Sequence, residues 1–152
     1  MFQIGYLITA PVVGATMHRV GRKKFIIIGF IAIIIATVGL GMLSEVKHNL
    51  TAFVSLAIIM RLIQGCGDSC ITTSVYSIIT LRFPDRKERF LGYCSTAVGL
   101  GMMLGPVLGS VLYTFLAYEW TFYVFAFILS IIFVITLVMI PSELDRKSDA
   151  KS

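Results

Sequence analysis

The sequence predicts an all-α integral membrane protein, and three observations lead to this fold class. Of the 152 residues, 57% are hydrophobic and only 14% are charged, whereas an average soluble domain has roughly 25% charged residues. Several runs of eighteen or more residues carry no charge, which matches the ~20 residues that a helix needs to cross a bilayer. The runs are continuous rather than alternating, which excludes outer-membrane strands. A disordered chain, a fibrous repeat and an ordinary soluble enzyme are also excluded.

Five membrane spans are predicted, at residues 1–17, 25–43, 50–81, 91–113 and 121–140. The first is short and contains Gly5, Pro11 and Gly14, and the second consists mostly of Ile, Phe, Ala and Gly. The third contains two charged residues, and the fourth is rich in glycine. The fifth is closed by Pro141, and residues 142–152 form a polar tail or the start of a linker.

The basic residues predict the orientation of these spans. If five helices alternate in direction, the links 18–24 and 82–90 and the polar tail lie on one side, with eleven Lys and Arg residues, and the other side has only Lys47. Basic loops stay in the cytoplasm, so these three segments are expected there. Met1 is then expected on the opposite face, which leads us to expect a further span before it.

The sequence offers little support for disulfides, metal sites or catalytic residues. Cys66, Cys70 and Cys94 all lie in apolar runs, where a thiol acts as a small packing residue. We therefore predict no disulfide and no metal site, and we expect no cofactor and no catalytic residues. No nucleic-acid partner is predicted, because the basic residues are confined to short segments between the apolar runs. Asn49 begins a glycosylation sequon on the non-cytoplasmic side, but it directly adjoins a span.

The first basic link contains a pattern of glycine and basic residues. It comprises Gly14, His18, Arg19, Gly21, Arg22, Lys23 and Lys24. This pattern resembles the signature of the major facilitator superfamily between its helices 2 and 3, with His18 where the family has an aspartate. The resemblance implies that the link gates a conformational change by charge pairing, which a histidine would weaken or alter. The alternative is a generic basic loop beside the membrane.

The third span carries Arg61, Gln64 and Asp68. The segment from Arg61 to Gly67 resembles the family's helix 4 pattern, whereas the family usually has a small residue at the position of Asp68. An arginine within a span costs about 2.5–3.5 kcal/mol on insertion scales, so Arg61 must face protein or water. Spacings of three and seven residues place the three side chains on one helix face. We expect them to bind substrate or a coupling ion, with Asp68 as a proton or cation site. The alternative is an Arg61–Asp68 pair that only orders helices.

The fourth span reproduces the family's antiporter signature. The matching residues are Gly92, Gly101, Gly105, Pro106 and Gly109, and the signature's final glycine is Ser110 here. Glycines spaced by four residues let another helix approach closely, and a proline bends a helix. The sequence therefore predicts a packed, kinked helix that acts as a hinge.

The resemblance covers nearly the whole chain, as helices 2 to 6 of an N-terminal six-helix bundle. Tyr113, Tyr118 and Glu119 further resemble the vesicular amine and polyamine transporters and the drug–proton antiporters. The resemblance implies a secondary transporter that moves a small cationic organic solute by alternating access, driven by protons, within a lipid bilayer. Helix 1 and the C-terminal half would then be further parts of the same transporter. The alternative function is a non-transporting membrane subunit that retains only the packing motifs.

Overall fold

The computed structural model describes residues 2–43, 50–116 and 118–139, without the side chains of residues 2, 18–20 and 50. The described chain is helical, with a short 3-10 turn at Pro84–Arg86 before the fourth helix. The five α-helices are α1 (Phe2–Val20), α2 (Arg22–Met42), α3 (Leu50–Arg82), α4 (Lys87–Phe115) and α5 (Tyr118–Met139). The sequon at Asn49, Lys47 and the polar tail lie outside the described residues.

The helices extend beyond several of the predicted apolar spans. Helix α2 begins at Arg22 and α4 begins at Lys87, because basic residues favour helix as strongly as most apolar ones. By length and composition, α2 to α5 can each cross a membrane, whereas the apolar part of α1, Gln3–Met17, is shorter.

Three helices form the tightest part of the bundle. Helices α2 and α3 are antiparallel. Thr37, late in α2, pairs with Gln64 of α3, whereas Arg22, at the start of α2, pairs with Ser77 near the end of α3. Helices α1 and α3 are parallel, and Val13 and Met17 pack with Cys70 in the buried core. Ser69 and Ser74 of α3 are fully buried, at 0% exposure, because only small side chains fit where three helices meet.

Helix α5 packs on the opposite side of α2, and α4 is the least embedded helix. The rings of Phe30 and Phe133 lie 5.4 Å apart, and Gly41 faces Phe122 near the other end of the α2–α5 contact. No residue of α4 is buried. A cavity therefore remains between α4 and the other helices.

Candidate functional site

A cavity of about 890 Å³ lies between α2, α3, α4 and α5. Its volume falls within the range of about 300–1,000 Å³ typical of small-molecule sites. Most of its lining is apolar or aromatic, including Phe122 and Phe125 of α5. A largely apolar cavity with a few polar groups is the usual form of a site for an organic molecule.

The polar side of the cavity is a chain of hydrogen bonds that joins α3 to α2. Arg61 Nη1 donates to Gln64 Oε1 at 3.1 Å, and Gln64 Nε2 donates to Thr37 Oγ1 at 2.9 Å. Thr37 Oγ1 in turn donates to the carbonyl oxygen of Ile33 at 2.7 Å. Each hydroxyl and amide therefore has a partner, which offsets the cost of placing these groups within a membrane. The guanidinium of Arg61 remains exposed at the cavity.

The opposite wall of the cavity is the glycine-rich part of α4. Gly105, Pro106 and Gly109 line it, whereas Gly92 and Gly101 do not. A Cβ built on any of the α4 glycines would meet no described atom within 4 Å. The close helix contact expected at this face is thus not made by any described residue, and the glycines instead enlarge the cavity.

Asp68 does not line this cavity, although Arg61 and Gln64 do. It is half-buried on α3 and lies close enough to Tyr6 of α1 for electrostatic interaction. No ion pair joins Arg61 to Asp68 among the described side chains. The structure therefore divides the three candidate residues between two places.

The basic link is a tight connection between α1 and α2. Gly21 is its pivot, with a φ of 96°, a value that glycine adopts readily. Arg22 is only 8% exposed, and its Nε donates to Ser77 Oγ on α3 at 3.0 Å. Gly14 has open space beside it, and the side chains of His18 and Arg19 lie outside the described residues.

Sequence reasoning did not identify Thr37, Ser77 or Tyr6. Each is a polar or amphipathic residue within an apolar run, and this position is the feature of the sequence that could have marked it as a candidate. Their partners lie 27, 55 and more than 60 positions away in the sequence. Only the packing of the helices shows which polar groups meet.

The long apolar helices are those of a multi-pass integral membrane protein. The sequence matches the family model of the Major Facilitator Superfamily over residues 1–152. The chain belongs to this family, and the predicted fold class and resemblance are confirmed.

The chain is similar in sequence to proteins of bacteria and mammals. The chain is 28% identical to Multidrug resistance protein 3 of Bacillus subtilis, over 81% of this chain and 23% of that protein. It is 30% identical to the Synaptic vesicular amine transporter of Homo sapiens, over 93% of this chain and 27% of that protein. For the MFS-type transporter SLC18B1 of Mus musculus, the identity is 25%, over 95% of this chain and 31% of that protein.

The chain thus spans less than a third of the length of these curated relatives. No solved structure matches the chain with comparable significance.

Proposed function

We propose that this chain contributes to a secondary active transporter that moves a small cationic organic solute by alternating access, in exchange for protons. The observation that carries the proposal is the membrane-embedded cavity between the Arg61–Gln64–Thr37 chain and the Gly105–Pro106 wall of α4. Family membership supports transport rather than catalysis as the activity.

The α4 wall is suited to movement. Pro106 has no amide hydrogen for the helical ladder, so the helix can bend there at low cost. No residue of α4 is buried, so moving this helix separates few packed side chains. Alternating access requires one group of helices to rock against another around the site. Within this framework, the link from Gly14 to Lys23 is proposed to control the movement at the cytoplasmic end.

The solute class and the coupling ion are supported by different observations. Two relatives are a multidrug resistance protein and an amine transporter, and amines are protonated near neutral pH. A carboxylate within a span, such as Asp68, is expensive and is usually functional. We propose Arg61, Gln64 and Asp68 as the residues that bind substrate or couple its movement to protons.

The test compares two glycines of the same helix in the complete coding sequence that contains this chain. Gly105 lines the cavity and Gly99 does not, and both have open space beside them. We expect Gly105→Leu to fill the cavity and lower uptake about tenfold, which corresponds to about 1.4 kcal/mol. Gly99→Leu should remain near wild type. The measurement is uptake of radiolabelled tetraphenylphosphonium into proteoliposomes with an imposed pH gradient.

Each result distinguishes between the two functions. Uptake by wild-type protein that collapses when the pH gradient is dissipated would support proton-driven transport. Absence of uptake for this cation and for a panel of neutral and anionic solutes would favour a non-transporting subunit. Equal uptake by the Gly105→Leu and Gly99→Leu proteins, at equal amounts in the membrane, would refute the role of the cavity.

A further inference from the structure

The cavity between α2, α3, α4 and α5 offers apolar and aromatic surface to an organic cation, but no described carboxylate lines it. Arg61 is the charged residue that lines this cavity, and like charges repel strongly where water is scarce. The described acids other than Asp68 are Asp85, Glu88 and Glu119, and these lie in the 82–90 link or in the first turn of a helix. Asp68 is thus the described carboxylate that lies well inside a membrane-spanning helix.

Asp68 belongs to a polar face that is formed by residues of α1 and α3. Asp68, Thr72 and Tyr76 are spaced by four residues on α3, which places them on the same side about 6 Å apart. Tyr6 of α1 lies close enough to Asp68, Thr72 and Tyr76 for polar or electrostatic interaction. All four side chains are half-buried, so the face is sheltered and yet open to a ligand.

The position of Tyr6 is fixed by the residues beside it. A Cβ on Gly5 would lie 2.7 Å from the carbonyl oxygen of Leu62, so α1 approaches the α3 backbone as closely as glycine permits. One turn further, Thr9 Oγ1 donates to Cys66 Sγ at 3.1 Å. Tyr6 therefore belongs to a segment of α1 that is held tightly against α3.

We propose that Asp68, Tyr6 and Tyr76 bind the ammonium group of an organic cation on the α1–α3 face, apart from the Arg61 cavity. No described side chain forms an ion pair with Asp68, so its carboxylate can accept a ligand's charge. The faces of the two phenol rings attract a cation, and Thr72 adds a hydroxyl to the same side of α3. This inference rests on the proposed function and names the residues that recognise the solute.

The test measures equilibrium binding of radiolabelled tetraphenylphosphonium to the purified protein expressed from the complete coding sequence. Asp68→Asn removes the charge but keeps the shape, and we expect at least about tenfold weaker binding. Tyr6→Leu removes the ring and should weaken binding about threefold to tenfold. Asp68→Glu should retain most of the affinity, and excess sodium should compete poorly. Asp85→Asn is the matched control, since it removes an exposed acid outside the spans.

Several outcomes would overturn the site without affecting transport. If Asp68→Asn and Tyr6→Leu bind the cation as wild type does, the face is not the recognition site. If Asp68→Asn lowers thermal stability and Tyr6→Leu leaves binding unchanged, Asp68 instead pairs with a basic side chain elsewhere. Competition by sodium at millimolar concentration would assign the site to an inorganic cation. Uptake that persists in these variants would leave the proposed transport function standing while refuting this inference.

Discussion

At the scale of single residues, Gly21 shows how a motif position follows from backbone geometry. It joins α1 to α2 with a φ of 96° and a ψ of 142°, and its amide still donates to the Met17 carbonyl oxygen at 3.1 Å. One residue thus both ends a helix and reverses the chain. A residue with a Cβ would be strained in this conformation.

We expect Gly21→Ala to lower the free energy of unfolding by about 1–2 kcal/mol, because alanine resists a positive φ. Gly14→Ala is the matched control, since Gly14 is helical and no described atom lies within 4 Å of its built Cβ. That change should be neutral or slightly stabilising. Thermal unfolding of the two purified variants in detergent measures the difference. Equal melting temperatures would show that the link relaxes without cost.

The same link shows what a sequence can and cannot predict about a residue. The pattern around Gly21 predicted a basic link at residues 18–24, and the structure shortens this link to Gly21 between α1 and α2. It did not predict that Arg22 is buried and hydrogen-bonded to Ser77, 55 positions away. Local spacing reports helix faces and turns, whereas the partner of a buried cation depends on how separate helices align.

At the scale of helices, close packing occurs where the sequence pattern was least conspicuous. Gly29 of α2 and Gly67 of α3 face each other, and a Cβ on Gly29 would lie 2.6 Å from the Gly67 carbonyl oxygen. The repeated glycines of α4 are the stronger sequence signal, yet no described atom approaches them. A stripe of small residues predicts that another helix can pack closely against it. It does not predict which helix does so, because that depends on the rest of the bundle.

The Gly29–Gly67 crossing is expected to be intolerant of any side chain. Gly29→Ala should destabilise the protein by about 1–3 kcal/mol, because the nearest obstructing atom is the backbone carbonyl oxygen of Gly67, which cannot move aside cheaply. The same change at Gly92 of α4, where space is open, should cost nothing. Both variants can be compared by thermal unfolding and by yield after membrane extraction. A Gly29→Ala protein as stable as the Gly92→Ala protein would mean that α2 and α3 separate readily.

At the scale of the whole molecule, the pattern of apolar runs predicted the helices but not their arrangement. Five runs correspond to five helices because burying backbone polar groups in lipid requires helical hydrogen bonds. The placement of Arg61 and Gln64 at one cavity followed from their spacing on α3, and the structure agrees. The separation of Asp68 from that cavity could not be predicted, because it depends on α1 lying beside α3.

The orientation of the bundle in its membrane is the remaining whole-molecule prediction. The eleven basic residues of the two links and the tail, against Lys47 alone, predict that positions 18–24, 82–90 and 142–152 face the cytoplasm. Glu119, at the start of α5, should face the opposite side with Asn49. Helix alternation supports this, because α2 and α3 are antiparallel, as the Arg22–Ser77 and Gln64–Thr37 pairs show.

Single cysteines at positions 24 and 47, in a background without native cysteines, test the orientation directly. Lys24 is exposed, so it is a better probe than the buried Arg22 beside it. A membrane-impermeant maleimide added to intact cells should label the Lys47→Cys protein, and should label the Lys24→Cys protein only after permeabilisation. A Leu100→Cys protein, within the α4 span, controls for labelling from inside the lipid. If the cysteines at positions 24 and 47 react from the same side, α2 does not cross the membrane. The arrangement of helices on which the transport proposal depends would then be wrong. If the two positions are labelled from opposite sides in the reverse sense, another segment of the protein overrides the basic links in setting the orientation.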